Sequence, residues 1–218
     1  VMNVHSRLDD EEARILGEEI VGQRRRLQRF VVPPGLSESP HDRMLDRLFP
    51  ERPAIVGNRV EMLQEGIQAY PRMLEDMLRA KKCIRLQSFI FMSDEVGRKF
   101  LDILERKAAE GVDVKVLYDS FGSFKSYFSR FFWRCIRRRT PHFQIHAFSP
   151  VNLLAPWKFQ LRNHRKLLVI DGMIAYTGGI NIAAENTRLP SIPPKRYIHD
   201  LHCRVTGPAV AQLAMSFF

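Results

Sequence analysis

From residue 52 onward the apolar positions fall into alternating blocks, some recurring about every second residue and some about every 3.6. PAIVGNRVEML (53–63) reads as a hairpin with Gly57-Asn58 at its turn. GIQAYPRMLEDMLRAK (66–81) carries a helical stripe, with Pro71 near its first turn, and CIRLQSFIF (83–91) is an apolar strand. SDEVGRKFLDILERKAAEG (93–111) reads as a helix capped by Ser93 and closed by Gly111, and VDVKVLYDS (112–120) as the next strand. Strand, helix, strand in this order predicts a parallel unit with a right-handed crossover. HFQIHAFSP (142–150) adds another strand. The expected fold class is therefore α/β, a mixed and mostly parallel sheet covered by helices on both faces.

LRNHRKLLVIDGMIAYTGGINI (161–182) sets polar residues among two short apolar runs and a Gly-Gly pair. Asp171-Gly172 between the runs is a two-residue hairpin signal. In that register Ile170 faces Met173, Leu168 faces Ala175, Lys166 faces Thr177 and His164 faces Gly179. His164 and Lys166 then project from one face, about 6 to 7 Å apart, and Asn181 joins them if the strand continues. An imidazole, an ammonium and a carboxamide over a patch with no side chain suit a phosphate, because Gly178 and Gly179 let a ligand approach the backbone. Asp171 has the opposite parity, which marks it as a turn residue or one acting through others. The run is too apolar for a solvated strand, and a buried His and Lys without a charged partner would cost several kcal/mol; an anionic ligand removes that cost.

Residues 1–52 read as an extension. DDEEARILGEEIVGQRRRLQRF has acids first and bases last, which suits a helix macrodipole, and VVPPGLSESP breaks it. The remainder, 53–218, reads as one α/β domain. The VNLLAPWKFQLRN loop carries Trp157 and Lys158. The 218 residues are 45% hydrophobic and 27% charged, and no apolar run approaches the length of about 18 to 20 residues that spans a bilayer. Cys83, Cys135 and Cys203 are too dispersed for a metal site or a disulfide framework, so no metal is expected and a reducing compartment is the simpler setting. A net charge of +10 favours an anionic partner, whether nucleic acid, lipid or a phosphorylated substrate.

SFKSYFSRFFWRCIRRRTP (123–141) repeats Phe124, Tyr127, Phe128, Phe131 and Cys135 at helical spacing among Arg130, Arg134, Arg137, Arg138 and Arg139. Two readings stay open: an amphipathic helix with its rings in the core, or an interfacial helix with rings at the acyl boundary and arginines on phosphates. Phe132 and Trp133 lie off the main stripe, where core packing does not explain them.

His164-x-Lys166, then Asp171, Gly178-Gly179 and Asn181, resembles the signature of the phospholipase D superfamily. Within it the chain looks most like the bacterial cardiolipin synthases, from about Asn58 onward: LYDSFGS (117–123), LRNHRKLLVIDG (161–172), TGGINIAAEN (177–186) and HDLHCRVTGPAV (199–210) carry the likeness. One departure is YIHDLH, where those synthases have Trp-Arg before the residue matched by Asp200. The resemblance implies a phospholipase D-like half-fold and a catalytic set of His164, Lys166, Asn181 and Asp171, with Gly178, Gly179 and Thr177 binding substrate and no cofactor. It implies phosphatidyl transfer between phospholipids through a phosphohistidine, with anionic phospholipid such as phosphatidylglycerol as substrate. It also implies a peripheral place on the cytoplasmic face of the bacterial inner membrane. The alternative is a phosphodiesterase acting on nucleic acid as a homodimer; a degenerate binding module is disfavoured by the intact polar set. The family site needs two copies of the motif, and none of the other histidines begins a second His-x-Lys. A second half, in the same polypeptide or in a homodimer, is thus expected, and GPAVAQLAMSFF reads as an unfinished helix of a first half.

Overall fold

The computed structural model describes residues 55–129, 140–148, 162–187 and 197–217, with Pro40, Met44, Arg47 and Phe132 besides. Apart from Pro40, Met44 and Arg47, the expected extension over 1–52 lies outside these residues, as does the Trp157 loop. The described residues form β1 (Arg59–Gln64), α1 (Glu65–Leu78), β2 (Cys83–Ser88), α2 (Glu95–Ala109), β3 (Asp113–Asp119), β4 (Phe143–Phe148), β5 (Leu167–Ile170), β6 (Ile174–Gly178), β7 (Leu201–Thr206) and α3 (Ala209–Met215). The strands make one seven-stranded sheet in the order β1-β7-β6-β5-β2-β3-β4. The mixed α/β sheet is as expected, but the parallel share is smaller: only β2–β3 and β3–β4 are parallel, and the other four ladders are antiparallel. Short connections explain the difference. A parallel pair needs a crossover such as α2, whereas the β5–β6 hairpin turns back at once.

Helices cover both faces. On one, α1 and α2 pack Tyr70, Met77, Phe100 and Leu104 onto Ile84, Val116, Leu168 and Tyr176. On the other, α3 sets Val210 and Ala214 against Leu167, Val169, Ala175 and Val205. β5 is buried at all four positions, which accounts for its unbroken LLVI run.

Local chemistry moved several boundaries. Pro71 is the seventh residue of α1, not in its first turn. Asp94, not Ser93, caps α2, its Oδ1 accepting from Val96 N and Gly97 N at 3.0 Å. Gly111 closes α2 as expected, in the left-handed region at φ 89°. Gly57 also turns at φ 80°, but the strand after it pairs with β7.

Over Phe124–Phe128 the expected aromatic helix is instead a short 3-10 turn, while Phe132 further on is helical. Ser123, Ser126 and Ser129 recur every third residue, the period of a 3-10 helix. Their hydroxyls meet residues 91–93: Ser123 Oγ accepts from Phe91 N, Ser126 Oγ donates to Phe91 O and accepts from Ser93 N, and Ser129 Oγ bonds Ser93 Oγ. Serine bonds of this kind compete with an α-helical ladder. Phe132, set apart by the sequence pattern, is fully buried against Phe91, Tyr118 and Tyr127. The arginines at 130, 134 and 137–139, with Phe131, Trp133 and Cys135, lie outside the described residues.

The hairpin exists with its register shifted by one. Ile170 pairs with Ile174, Leu168 with Tyr176 and Leu167 with Thr177, so three residues connect the strands. Asp171 and Gly172 both have positive φ, 53° and 65°, and Met173 N donates to Ile170 O. The turn leans toward β2, because Asp171 N donates to Cys83 O, and this leaves Met173 as an exposed spare residue.

Candidate active site

His164 and Lys166 meet just before β5, on the stretch that runs beside the end of β2. Asp119, buried at the end of β3, fixes this stretch: Oδ2 accepts from Asn163 N at 3.1 Å, while Oδ1 accepts from Phe121 N and Gly122 N. The next residue thus starts from a clamped backbone. The His164 ring packs on Phe89 with centroids 4.5 Å apart. Lys166 Nζ lies 3.0 Å from His164 Nδ1, 3.3 Å from Nε2 and 2.9 Å from the His164 carbonyl oxygen to which it donates. The same ammonium stands 5.2 Å from the Phe89 ring centroid.

The two groups differ in exposure. Lys166 is buried, whereas His164 is exposed, contrary to the expectation of two buried groups. An exposed imidazole over a sunken ammonium is the more useful arrangement, since an incoming anion reaches the ring nitrogen and the charge beneath it together. Burial pushes the Lys166 pKa down, and the carboxylate of Asp200 pulls it partly back. No carboxylate comes within ion-pair distance of Lys166 among the described residues. An anion docked at His164 would supply the missing countercharge.

The glycine pair does something the sequence reading did not foresee. A Cβ on Gly179 would stand 1.9 Å from Asp200 Oδ1 and 2.2 Å from Oδ2, so that space holds the Asp200 carboxylate and not a ligand. Gly178, at φ 152°, lies where a Cβ would meet Leu201 O at 2.4 Å and His202 Nδ1 at 2.8 Å. The pair therefore lets Asp200 and His202 close over β6 beside Lys166. His202 is buried, and neither ring nitrogen has a hydrogen-bond partner among the described residues. Burial holds its pKa down at about 4, with Asp200 raising it and Lys166 lowering it, so the ring is neutral at pH 7. Gly179→Ala should push the Asp200 carboxylate out of place and lower turnover at least tenfold with little change in melting temperature. Unchanged kinetics in that variant would show that Asp200 has no part in the site.

The other signature residues are placed as follows. Asn181 Oδ1 accepts from Ile90 N at 3.1 Å, which fixes the carboxamide one residue from Phe89 and leaves its NH₂ as the donating end. The Tyr70 hydroxyl stands between the carbonyls of Asn181 and Ala183, at 2.7 and 2.8 Å. Thr177 Oγ1 donates to Lys166 O at 3.1 Å, so it steadies the lysine's backbone. Asp171 lies at the opposite end of β5, about 16 Å along the strand from Lys166. Its carboxylate accepts from the backbone N–H groups of Lys81, Lys82 and Cys83 at 2.9, 2.7 and 2.9 Å. Asp171 thus ties the turn to residues 81–83, at the far end of β5 from Lys166. Asp200, His202, Phe89 and Asp119 were absent from the expected site. The D-x-H of YIHDLH, two residues of like parity entering a strand, was the available signal for the first two.

A seven-stranded mixed sheet with an exposed His over a buried Lys at one edge of β5 defines the phospholipase D-like class, and solved structures agree on the fold. Nuc from Salmonella typhimurium, a phospholipase D family member, superposes with a TM-score of 0.51 at 15% identity, covering 73% of this chain and 91% of that one. Phosphatidylserine synthase from Haemophilus influenzae does so with a TM-score of 0.54 at 18% identity, covering 89% of this chain and 39% of that one. The family model described as "Cardiolipin synthase, PLD-like domain" matches residues 73–217, and the chain belongs to that family. Among its relatives, the major cardiolipin synthase ClsA of Bacillus subtilis is 39% identical over 163 residues, covering 73% of this chain and 32% of the relative. The cardiolipin synthase of Oceanobacillus iheyensis is 37% identical over 160 residues, with the same coverages. The chain thus spans about a third of the length of these curated relatives.

Proposed function

We propose that this chain forms one catalytic half of a phosphatidyltransferase of the cardiolipin synthase type, with His164 as nucleophile. The observation that carries the reading is the exposed His164 ring held 3.0 Å from the buried Lys166 ammonium, in a chain of this family. A neutral imidazole nitrogen attacks the phosphorus of a phospholipid. The N–P bond forms as the P–O bond to the headgroup alcohol breaks, giving a phosphohistidine. The leaving alkoxide takes a proton from the histidine of a second copy of the motif, in cis or in a homodimer, and that histidine then deprotonates the acceptor alcohol. Attack of the acceptor oxygen on phosphorus breaks the N–P bond and restores His164. Lys166 and the Asn181 carboxamide neutralise charge on the phosphoryl oxygens as it builds. Gly178 and Gly179 act through Asp200 and His202, Thr177 through the backbone of Lys166, and Asp171 through the fold.

The donor in this reading is an anionic phospholipid such as phosphatidylglycerol, and two molecules of it give cardiolipin and glycerol. The place of action is the surface of the bacterial inner membrane, on its cytoplasmic face. No helix among the described residues is long and apolar enough to cross a membrane, which accords with peripheral attachment of this part of the protein.

The test offers phosphatidylglycerol vesicles and single-stranded DNA separately to the chain, alone and together with a second copy of the motif. Cardiolipin and glycerol from the vesicles, with intact DNA, is the expected result, and the chain alone should turn over slowly. Cleavage of DNA without lipid product would overturn the reading in favour of a phosphodiesterase acting on nucleic acid.

A further inference from the structure

Three large rings near the site are turned outward. Phe121, Phe124 and Phe128 are 56%, 50% and 80% exposed. They are not on a loose loop. Asp119 takes the N–H groups of Phe121 and Gly122, and the buried Ser123 and Ser126 fasten the turn to residues 91–93. Phe124 and Phe128 hold each other edge to face with centroids 5.6 Å apart. The core claims Phe132 and part of Tyr127 from the same segment, so the three outward rings are what packing leaves over. Exposing such rings costs free energy in water, and a rigid turn that does so suits a partner that is partly apolar.

The charge around them narrows the partner. Between Asp119 and Asp171 the sequence has no acidic residue, while it has ten basic ones, Lys125, Arg162 and Lys166 among them. Twenty-four acids in 218 residues would place about five or six in a stretch of this length. Lys125 is exposed within the ring turn, and the Arg162 guanidinium stands 5.0 Å from the Phe121 ring centroid. Arg162 is two residues before His164, and a Cβ on Gly122 would meet Phe89 O at 2.3 Å, so ring turn and His164 share one support. Rings that enter the acyl boundary, flanked by cations at the phosphate level, are the chemistry of an interfacial anchor.

We propose that Phe121, Phe124 and Phe128, with Lys125 and Arg162, form the face by which this chain rests on an anionic phospholipid surface and brings His164 to the headgroups. The proposal deepens the lipid reading above and rests on it for its purpose, but binding is measured without turnover. The full chain is sedimented with vesicles of phosphatidylglycerol and phosphatidylcholine in equal parts, and with pure phosphatidylcholine vesicles. The chain with Phe121, Phe124 and Phe128 all changed to serine should lose at least tenfold in partition to the mixed vesicles with an unchanged circular dichroism spectrum. Lys125→Glu should weaken binding to the mixed vesicles and leave binding to pure phosphatidylcholine as it was. Wild-type partition of the triple variant would overturn the proposal, as would a loss confined to binding of single-stranded oligothymidylate or of a second copy of the motif. A chain that binds vesicles through these rings yet transfers no phosphatidyl group even together with a second copy of the motif would refute the proposed function and leave this surface standing.

Discussion

Changing His164 to alanine is expected to lower phosphatidyl transfer by a factor of about 10³ or more, the scale set by losing a covalent nucleophile. The ring is exposed, its contacts are with Phe89 and the Lys166 ammonium, and the backbone before it is held by Asp119. The melting temperature should therefore stay within a few degrees. The nucleophile and the proton-transferring histidine are told apart by a denaturing quench at alkaline pH, which keeps an N–P bond that acid would cleave. With phosphatidylglycerol labelled at phosphorus, label should remain on the wild-type protein at His164 and be absent from His164→Ala. Label that persists in the variant would assign the covalent step elsewhere, and full activity would remove His164 from the chemistry altogether.

The largest effect on stability is expected away from the site, at Asp76. This carboxylate is buried under α1, where it accepts from Tyr176 Oη on β6 and from Arg204 Nε on β7, at 2.5 and 2.7 Å. Burial pushes its pKa up, but the bonds from Arg204 and Tyr176 outweigh that and hold it below the usual carboxylate range. Asp76→Ala removes one partner of a buried pair and leaves a guanidinium and a hydroxyl without their acceptor, which costs about 3 to 5 kcal/mol. For a chain of this size the melting temperature should fall by about 10 °C. Asp76→Asn keeps an acceptor for Tyr176 and should recover part of the loss. A urea midpoint that shifts by less than the equivalent of about 1 kcal/mol in Asp76→Ala would show that water replaces the carboxylate there.

How far the sequence reveals this molecule depends on whether a residue's work is local. The close of α2 at Gly111, the β2–α2–β3 unit and the β5–β6 hairpin follow from glycines and apolar runs within a few residues of one another. His164 and Lys166, two positions apart on an extended stretch, meet as parity requires. What escaped depends on distant partners. The register slipped because Cys83 and the N–H groups at 81–83 pull on the Asp171 turn from nearly 90 residues away. The purpose of Gly178 and Gly179 stayed hidden because Asp200 and His202 arrive on a strand 20 residues later. The 3-10 turn was masked by an aromatic stripe that also fits a helix, although serines at every third residue point to the tighter winding.

The grip of Asp171 on the α1–β2 junction makes the two ends of the signature separable in the laboratory. A library randomised at 164 and 166 would consist largely of folded, silent proteins, useful as inert carriers of the same scaffold. One randomised at 171 would be thinned by misfolding before any chemistry was sampled, since three backbone donors would lose their acceptor at once.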